Sequence, residues 1–324
     1  MANKKSSKIQ DSIDSGKKSE PKKKKNTISV SEIVSSIVHG YGEESSESTR
    51  KVANEKIKGF LQQIFSNSDI KEKYNLLILF DNSRLVKSDA DNIYNAITKF
   101  DNGKPINLVL HSRGGSAASA YLIGKLCREY SNNNFIVTVP RYAKSAATMI
   151  CCGAREIHMG SLSELGPIDP QINDLPALGL KNSIQHIAEL VKIYPESSNM
   201  FARYLHFSLD LINLGYYERV AESAMQYANN LLATNESLLP KSASDLAYHL
   251  VYNFKDHSFV IDWQEAENIF GNKIVKKDTS EYILGNELYN KLSLVDQVAS
   301  IMKHNFYFIG SLNSDPNFTK WKNK

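Results

Sequence analysis

The chain has little that would staple or anchor it from outside its own core. Only three cysteines occur in 324 residues, two of them adjacent as Cys151–Cys152. Neither a disulfide framework nor a metal-ligand or redox spacing follows from them. Cys151 and Cys152 lie in the run SAATMICCGA, where an unpaired cysteine packs as a small hydrophobe, and a reducing cytoplasm is the compartment this usage implies. No run of 18 or more apolar residues is present, which argues against a membrane-spanning helix. The segment ISVSEIVSSIVHG carries Glu32 and four serines and is too short and polar to be a span or a signal peptide. Internal repeats, heptads and a glycine-rich phosphate loop are also lacking. The reading is of a chain that needs no metal or other cofactor.

What is present divides into a basic arm and an α/β body. Residues 1–27 hold nine lysines against Asp11, Asp14 and Glu20, an excess larger than the +4 of the whole chain, so the remainder is slightly acidic. A Lys- and Ser-rich stretch with almost no apolar residues buries too little surface to order itself. It reads as a solubilising arm, with weak contact to a polyanion through residues 1–27 as the alternative. A charged helix is expected within 43–67. From Tyr74 onward, apolar strands (NLLILFD, INLVLH, FIVTV, EIHMG) alternate with helical patterns at 88–100, 117–130 and 145–153, the signature of βαβ units on a parallel sheet. Beyond residue 172 the pattern turns helical and rich in aromatics, which reads as core or as a subunit contact. Residues 305–324 read as loosely ordered.

The stretch from Phe135 to Ile172 organises the body. A strand closed by Pro140 leads to a helix beginning near Ser145, with small or apolar side chains on every face, as in a helix buried all round. A serine at such a helix start is either a plain N-cap or a hydroxyl placed beside free N–H groups and the positive helix end, where negative charge is stabilised. Upstream, NLVLHSRGG runs a strand into a glycine pair, which allows a sharp turn and a close approach of bare N–H groups. His111 and His158 read as structural. Arg113 reads as a solvated loop charge, with substrate steering as the alternative. Asp169 sits in an apolar, proline-flanked turn and needs a partner, either a histidine or a backbone turn bond. His257 falls on a loop before the short helix DWQEAENIF, and the neighbouring Asp256 competes with Asp169 to orient it.

Together LHSRGGSA, YAKSAATMI and SELGPIDPQ resemble the serine dehydrogenase proteinase family, Clp-fold serine proteinases of the Clp/crotonase superfold, over about Leu76 to Ile301. The resemblance implies a serine endopeptidase with nucleophile Ser145, base His257 and orienting Asp169, and with the N–H groups of Gly115 and Ala146 as oxyanion donors. It also implies a peptide or protein substrate and a homo-oligomer. Lys144 before the serine departs from the pattern and raises a Ser–Lys dyad as an alternative. Two other readings stand beside it: a crotonase-like acyl-CoA enzyme, and a non-catalytic scaffold tethering a polyanion. The expected domains are an arm at 1–42, a proteinase domain at 43–304 and a tail at 305–324. Because an arm without apolar residues adds nothing to a core, deleting residues 1–27 should leave the melting temperature nearly unchanged; differential scanning calorimetry of the two chains checks this.

Overall fold

The computed structural model describes residues 28–100, 102–172, 175–176, 179–208 and 211–321; the basic arm at 1–27 lies outside them. Two helices come first, α1 (Val30–Tyr41) and α2 (Glu47–Asn67), started by capping boxes at Ser29 and Ser46. The α/β body follows in the expected alternation. Strand β1 (Asn75–Asp81) precedes α3 (Lys87–Ile97), β2 (Ile106–Ser112) precedes α4 (Ala117–Glu129), and β3 (Phe135–Thr138) leads through the short β4 (Tyr142–Ala143) to α5 (Ala146–Cys152) and β5 (Glu156–Met159). Next come β6 (Glu164–Leu165) and two short strands paired antiparallel, β7 (Gln171–Ile172) and β8 (Leu175–Pro176). A helical region holds α6 (Gly179–Ile193), α7 (Ser198–Ser208), α8 (Leu211–Leu232), α9 (Ala243–Tyr252) and α10 (Trp263–Phe270). The chain then closes with β9 (Val275–Lys277), α11 (Ser280–Ile301), β10 (His304–Ser311) and β11 (Asn317–Lys320).

The main path of the sheet runs β11-β10-β1-β2-β3-β5-β9, parallel from β1 to β9. Strands β1 and β2 are buried along their whole length because both faces of the sheet are covered, which is why they read as unbroken apolar runs. Alternation along β1 divides the core: Leu77 and Leu79 join α3, α4, α5, α8 and α9 on one face, while Leu76, Ile78 and Phe80 join α1, α2 and α11 on the other.

Two expected boundaries are corrected. The arm does not extend to residue 42, because Ile33 and Ile37 of α1 are fully buried against the α2 and α11 face. The expected tail at 305–324 instead supplies β10, paired antiparallel with β1, and β11, paired antiparallel with β10. Phe306, Phe308 and Ile309 are buried there, so this segment belongs to the core. The parallel sheet of βαβ units thus carries an antiparallel edge. Among the described residues no helix is long and apolar enough to cross a membrane.

Glu281, in the first turn of α11, is buried and ties that helix to the entry of β1, accepting from Lys73 Nζ at 2.7 Å and from Tyr74 Oη at 2.8 Å. Burial opposes its charge, but bonds from Lys73, its own N–H and Tyr74 prevail and hold the carboxyl down at about 2. A depressed folded-state pKa stabilises the fold above the ordinary value near 4.5, and that contribution is lost as pH falls toward about 2. Glu281→Gln should therefore cost about 1–3 kcal/mol at neutral pH, a gap that narrows on acidification; urea unfolding at pH ~7 and ~3 tests the sign.

Candidate active site

The site forms where β2 and β4 end and α5 begins. Lys144 N donates to Ser112 O at 3.0 Å, which carries the pairing of β4 with β2 up to residue 144. Ser145 follows with φ 53° and ψ −120°, a backbone region that a non-glycine residue rarely occupies. It precedes α5 but makes no side-chain capping bond, so the plain N-cap reading does not describe it. All seven residues of α5 are buried, as its composition led us to expect. Thr148, the polar member, is satisfied by donating to Ala143 O at 2.6 Å and accepting from Gly166 N at 3.1 Å.

The glycine pair packs directly against this turn. Gly114 has φ 90°, and a β-carbon there would lie 2.5 Å from Lys144 O and 2.9 Å from Ala146 N. Gly115 has φ 150°, and its β-carbon would lie 2.5 Å from Leu85 N. Leu85 bridges this turn, its N–H donating to Gly114 O and its carbonyl accepting from Ser116 N, each at 2.9 Å. Among the described residues the N–H groups of Gly115 and Ala146 have no protein acceptor. Two unpaired donors beside a strained serine can stabilise an oxyanion.

Asp169 and His257 meet across 88 residues of sequence, with His257 Nδ1 at 2.5 Å from Asp169 Oδ1. Asp169 is 8% exposed, and its other oxygen accepts from Gln171 Nε2 at 3.0 Å. The loop bearing it is pinned by main-chain bonds between Leu165 and Ile261 in both directions and from Ile168 N to Leu250 O. Asp256, the rival partner of His257, instead accepts from the N–H and hydroxyl of Ser258, a local turn whose bonds pull its pKa down. Lys144 Nζ is engaged by Glu164 Oε2 at 2.6 Å and Leu165 O at 3.1 Å.

Ser145, Ala146, Gly115 and His257 line one cleft of about 560 Å³, walled on its apolar side by Met149 and Ile168. Lys144 is not among its walls. No hydrogen bond joins Ser145 to His257 among the described residues; such contacts often tighten only when substrate is bound. His111 and His158 lie elsewhere. His111 is buried, and burial pushes its pKa down to about 3, with Arg141 and Arg113 adding to the effect. Its Nε2 meets Asn82 Oδ1 at 3.2 Å, the atom that also accepts from Tyr142 Oη at 2.6 Å. His158 Nδ1 meets Thr279 Oγ1 at 2.8 Å. Burial raises the pKa of all three thiols. Among the described residues no three His, Cys, Asp or Glu side chains converge as metal ligands.

Sequence reasoning missed Asn82, Ser83 and Arg84, which also line the cleft. Their position just past the carboxyl end of a parallel strand was the available signal, because ligand crevices of α/β sheets form there.

The model of the family described as ClpP-like SDH-type serine proteinase matches residues 74–192, a span that includes Ser145 and Asp169 and ends before His257. Two uncharacterized proteins of Methanocaldococcus jannaschii are similar. One is 33% identical over 97 residues, covering 30% of this chain and 34% of the relative. The other is 31% identical over 103 residues, covering 32% and 35%. The match thus spans about a third of these relatives' length. Among solved structures, a membrane-bound stomatin-specific protease mutant aligns at 16% identity over 68% of this chain and 85% of its own, with TM-score 0.41. A second mutant of that protease, in complex with a substrate peptide, aligns at 14% identity over 76% and 88%, with TM-score 0.39. Over residues 74–192 the chain matches the ClpP-like SDH-type serine proteinases, the Clp-fold family that its sequence motifs resemble.

Proposed function

We propose that this chain is a serine endopeptidase that hydrolyses peptide bonds through an acyl-enzyme, with Ser145, His257 and Asp169 as its triad. The observation that carries this reading is the backbone of Ser145. Held at φ 53° with its hydroxyl uncommitted to capping, it shares a cleft with a histidine whose other nitrogen meets a buried carboxylate. A strained turn that presents a nucleophile ahead of a helix is a recurring device of acyl transfer.

In this mechanism Ser145 Oγ attacks the scissile carbonyl carbon while His257 Nε2 takes its proton. Asp169 holds the Nδ1–H tautomer and stabilises the imidazolium. The oxygen turned anionic is met by the N–H groups of Gly115 and Ala146. Collapse of the tetrahedral species breaks the C–N bond as His257 returns the proton to the leaving amine. Water, deprotonated by the same imidazole, then releases the acyl group. The Ser–Lys alternative is disfavoured because the Lys144 amine is spent on Glu164 and Leu165 O.

A fluorophosphonate should label Ser145, and Ser145→Ala should abolish both labelling and peptidase activity without loss of fold. His257→Ala should slow acylation by about 10⁴, the scale on which triad members act as a unit. Asp169→Asn should be severe through the wrong tautomer, whereas Asp256→Asn and Lys144→Ala should be mild. Pre-steady-state acylation rates, with circular dichroism as the folding check, decide this. Thioester hydrolysis without peptide cleavage would favour the acyl-CoA reading, and unlabelled chain with salt-sensitive polyanion binding the scaffold.

A further inference from the structure

The charge of the cleft goes unused in the mechanism above. Arg84 and Arg113 both line it and are exposed, and neither forms an ion pair with a carboxylate among the described residues. Their placement follows from the backbone. Arg84 precedes Leu85 and Arg113 precedes Gly114, and these two segments are bridged beside Ser145. The two arginines therefore flank the turn that presents the unpaired Gly115 N–H, and the Arg113 side chain reaches Tyr142 and lies near His111. A second cavity continues the cleft along α8, sharing Ala117, Pro170, Val220 and Ala224 with it and adding exposed Arg219.

Among the described residues no Asp or Glu lines either cavity. Several acids of the neighbouring elements are engaged elsewhere. Asp81 is buried and accepts from Ser83 N and Oγ, Asp89 accepts from Val86 N, and Asp296 accepts from Asn82. Glu218 and Glu222 of α8 lie near Tyr252 of α9, where they help raise its pKa, and neither lines the cavities. Asp169 is engaged by His257 and Gln171. A cleft lined by one sign of charge concentrates ligands of the other sign, and arginine presents a fork that fits a carboxylate.

Resting on the peptidase reading, we propose that this cleft selects peptides with an acidic side chain flanking the scissile bond, and that Arg84 and Arg113 determine this specificity. Carboxylate paired to one or both guanidiniums orients the chain so that the adjacent carbonyl lies over Ser145. Glutamine at the same position makes a weaker, uncharged bond.

The test uses the full chain and acetylated peptide libraries, each made with an amidated and with a free carboxyl terminus, randomised except for one position fixed as Glu, Gln or Lys. Cleavage by the wild type is read by mass spectrometry. Binding is read by fluorescence anisotropy with Ser145→Ala, which separates recognition from chemistry. Two partly exposed pairs should favour Glu over Gln about tenfold in KM and Kd, with kcat little changed, and salt at about 0.5 M should erode the preference. Arg84→Gln with Arg113→Gln should abolish it, and Arg84→Glu with Arg113→Glu should turn it toward Lys. Equal handling of Glu and Gln by the wild type, or a preference that survives the double Gln variant, overturns the proposal. So does a preference seen only with peptides bearing a free carboxyl terminus, which assigns the arginines to the chain end. Glu-selective binding without cleavage of any library would sink the peptidase reading while leaving the acidic recognition standing.

Discussion

Everything at the site depends on the contact between two backbones, at Gly114 and at Ser145. A β-carbon on residue 114 would come within 3.0 Å of Ser145 Cβ and closer still to Lys144 O, so only glycine lets the two turns interlock. The positive φ of Ser145 costs on the order of 1–3 kcal/mol, and such strain persists only where the surroundings over-determine it. Here they do. Lys144 N is bonded to Ser112 O, Ala147 N to Lys144 O at 2.9 Å, and the short side chains of α5 let the helix sit wholly inside the core behind them. The serine is thus raised by the sheet and the helix together, not by a mobile loop.

The second half of the site is assembled differently. His257 is a third exposed and lies on a loop, so little packing fixes it; Asp169, almost buried, does. A buried carboxylate is tolerated only when its oxygens are satisfied, and His257 and Gln171 together meet that need. The main-chain bonds of Leu165 with Ile261 and of Ile168 with Leu250 hold the strand-like segment on which Asp169 sits. Residues 88 apart in sequence are therefore brought into register by the backbone on either side of them, and the polar contact closes a gap already set by the fold.

This difference accounts for what the sequence revealed. Core strands, the buried helix after Ser145 and the glycine turn were legible because each is a local pattern: unbroken apolar runs, small residues on every face, two adjacent glycines. The meeting of Asp169 with His257 rather than Asp256 was not readable from local spacing, since Asp256 is adjacent and Asp169 is remote; only the resemblance pointed to it. The closing strands were missed for another reason. The run FYFIG in β10 is a sound strand signal, but the polar SLNSDPN after it reads as a loosely ordered end when the partner strand, β1, lies more than 200 residues upstream. Arg84 escaped notice because an arginine after a strand looks like any solvated loop charge until the opposite wall of the cleft is known.

Backbone and side chain also divide the labour around the glycine turn. The N–H of Gly115 is set by the main chain, through the bridge that Leu85 makes across residues 114–116. Leu85 is buried and the glycines admit no side chain, so core packing and sterics leave these positions little freedom. Residues 84 and 113, their immediate neighbours, are exposed, with Arg113 also reaching Tyr142. The charge lining the cleft can therefore change without moving the candidate oxyanion donors, and a change in the donors' geometry would require repacking the sheet. A fold built this way fixes the backbone donors and the turn that bears Ser145 far more tightly than the charge at the rim of the cleft.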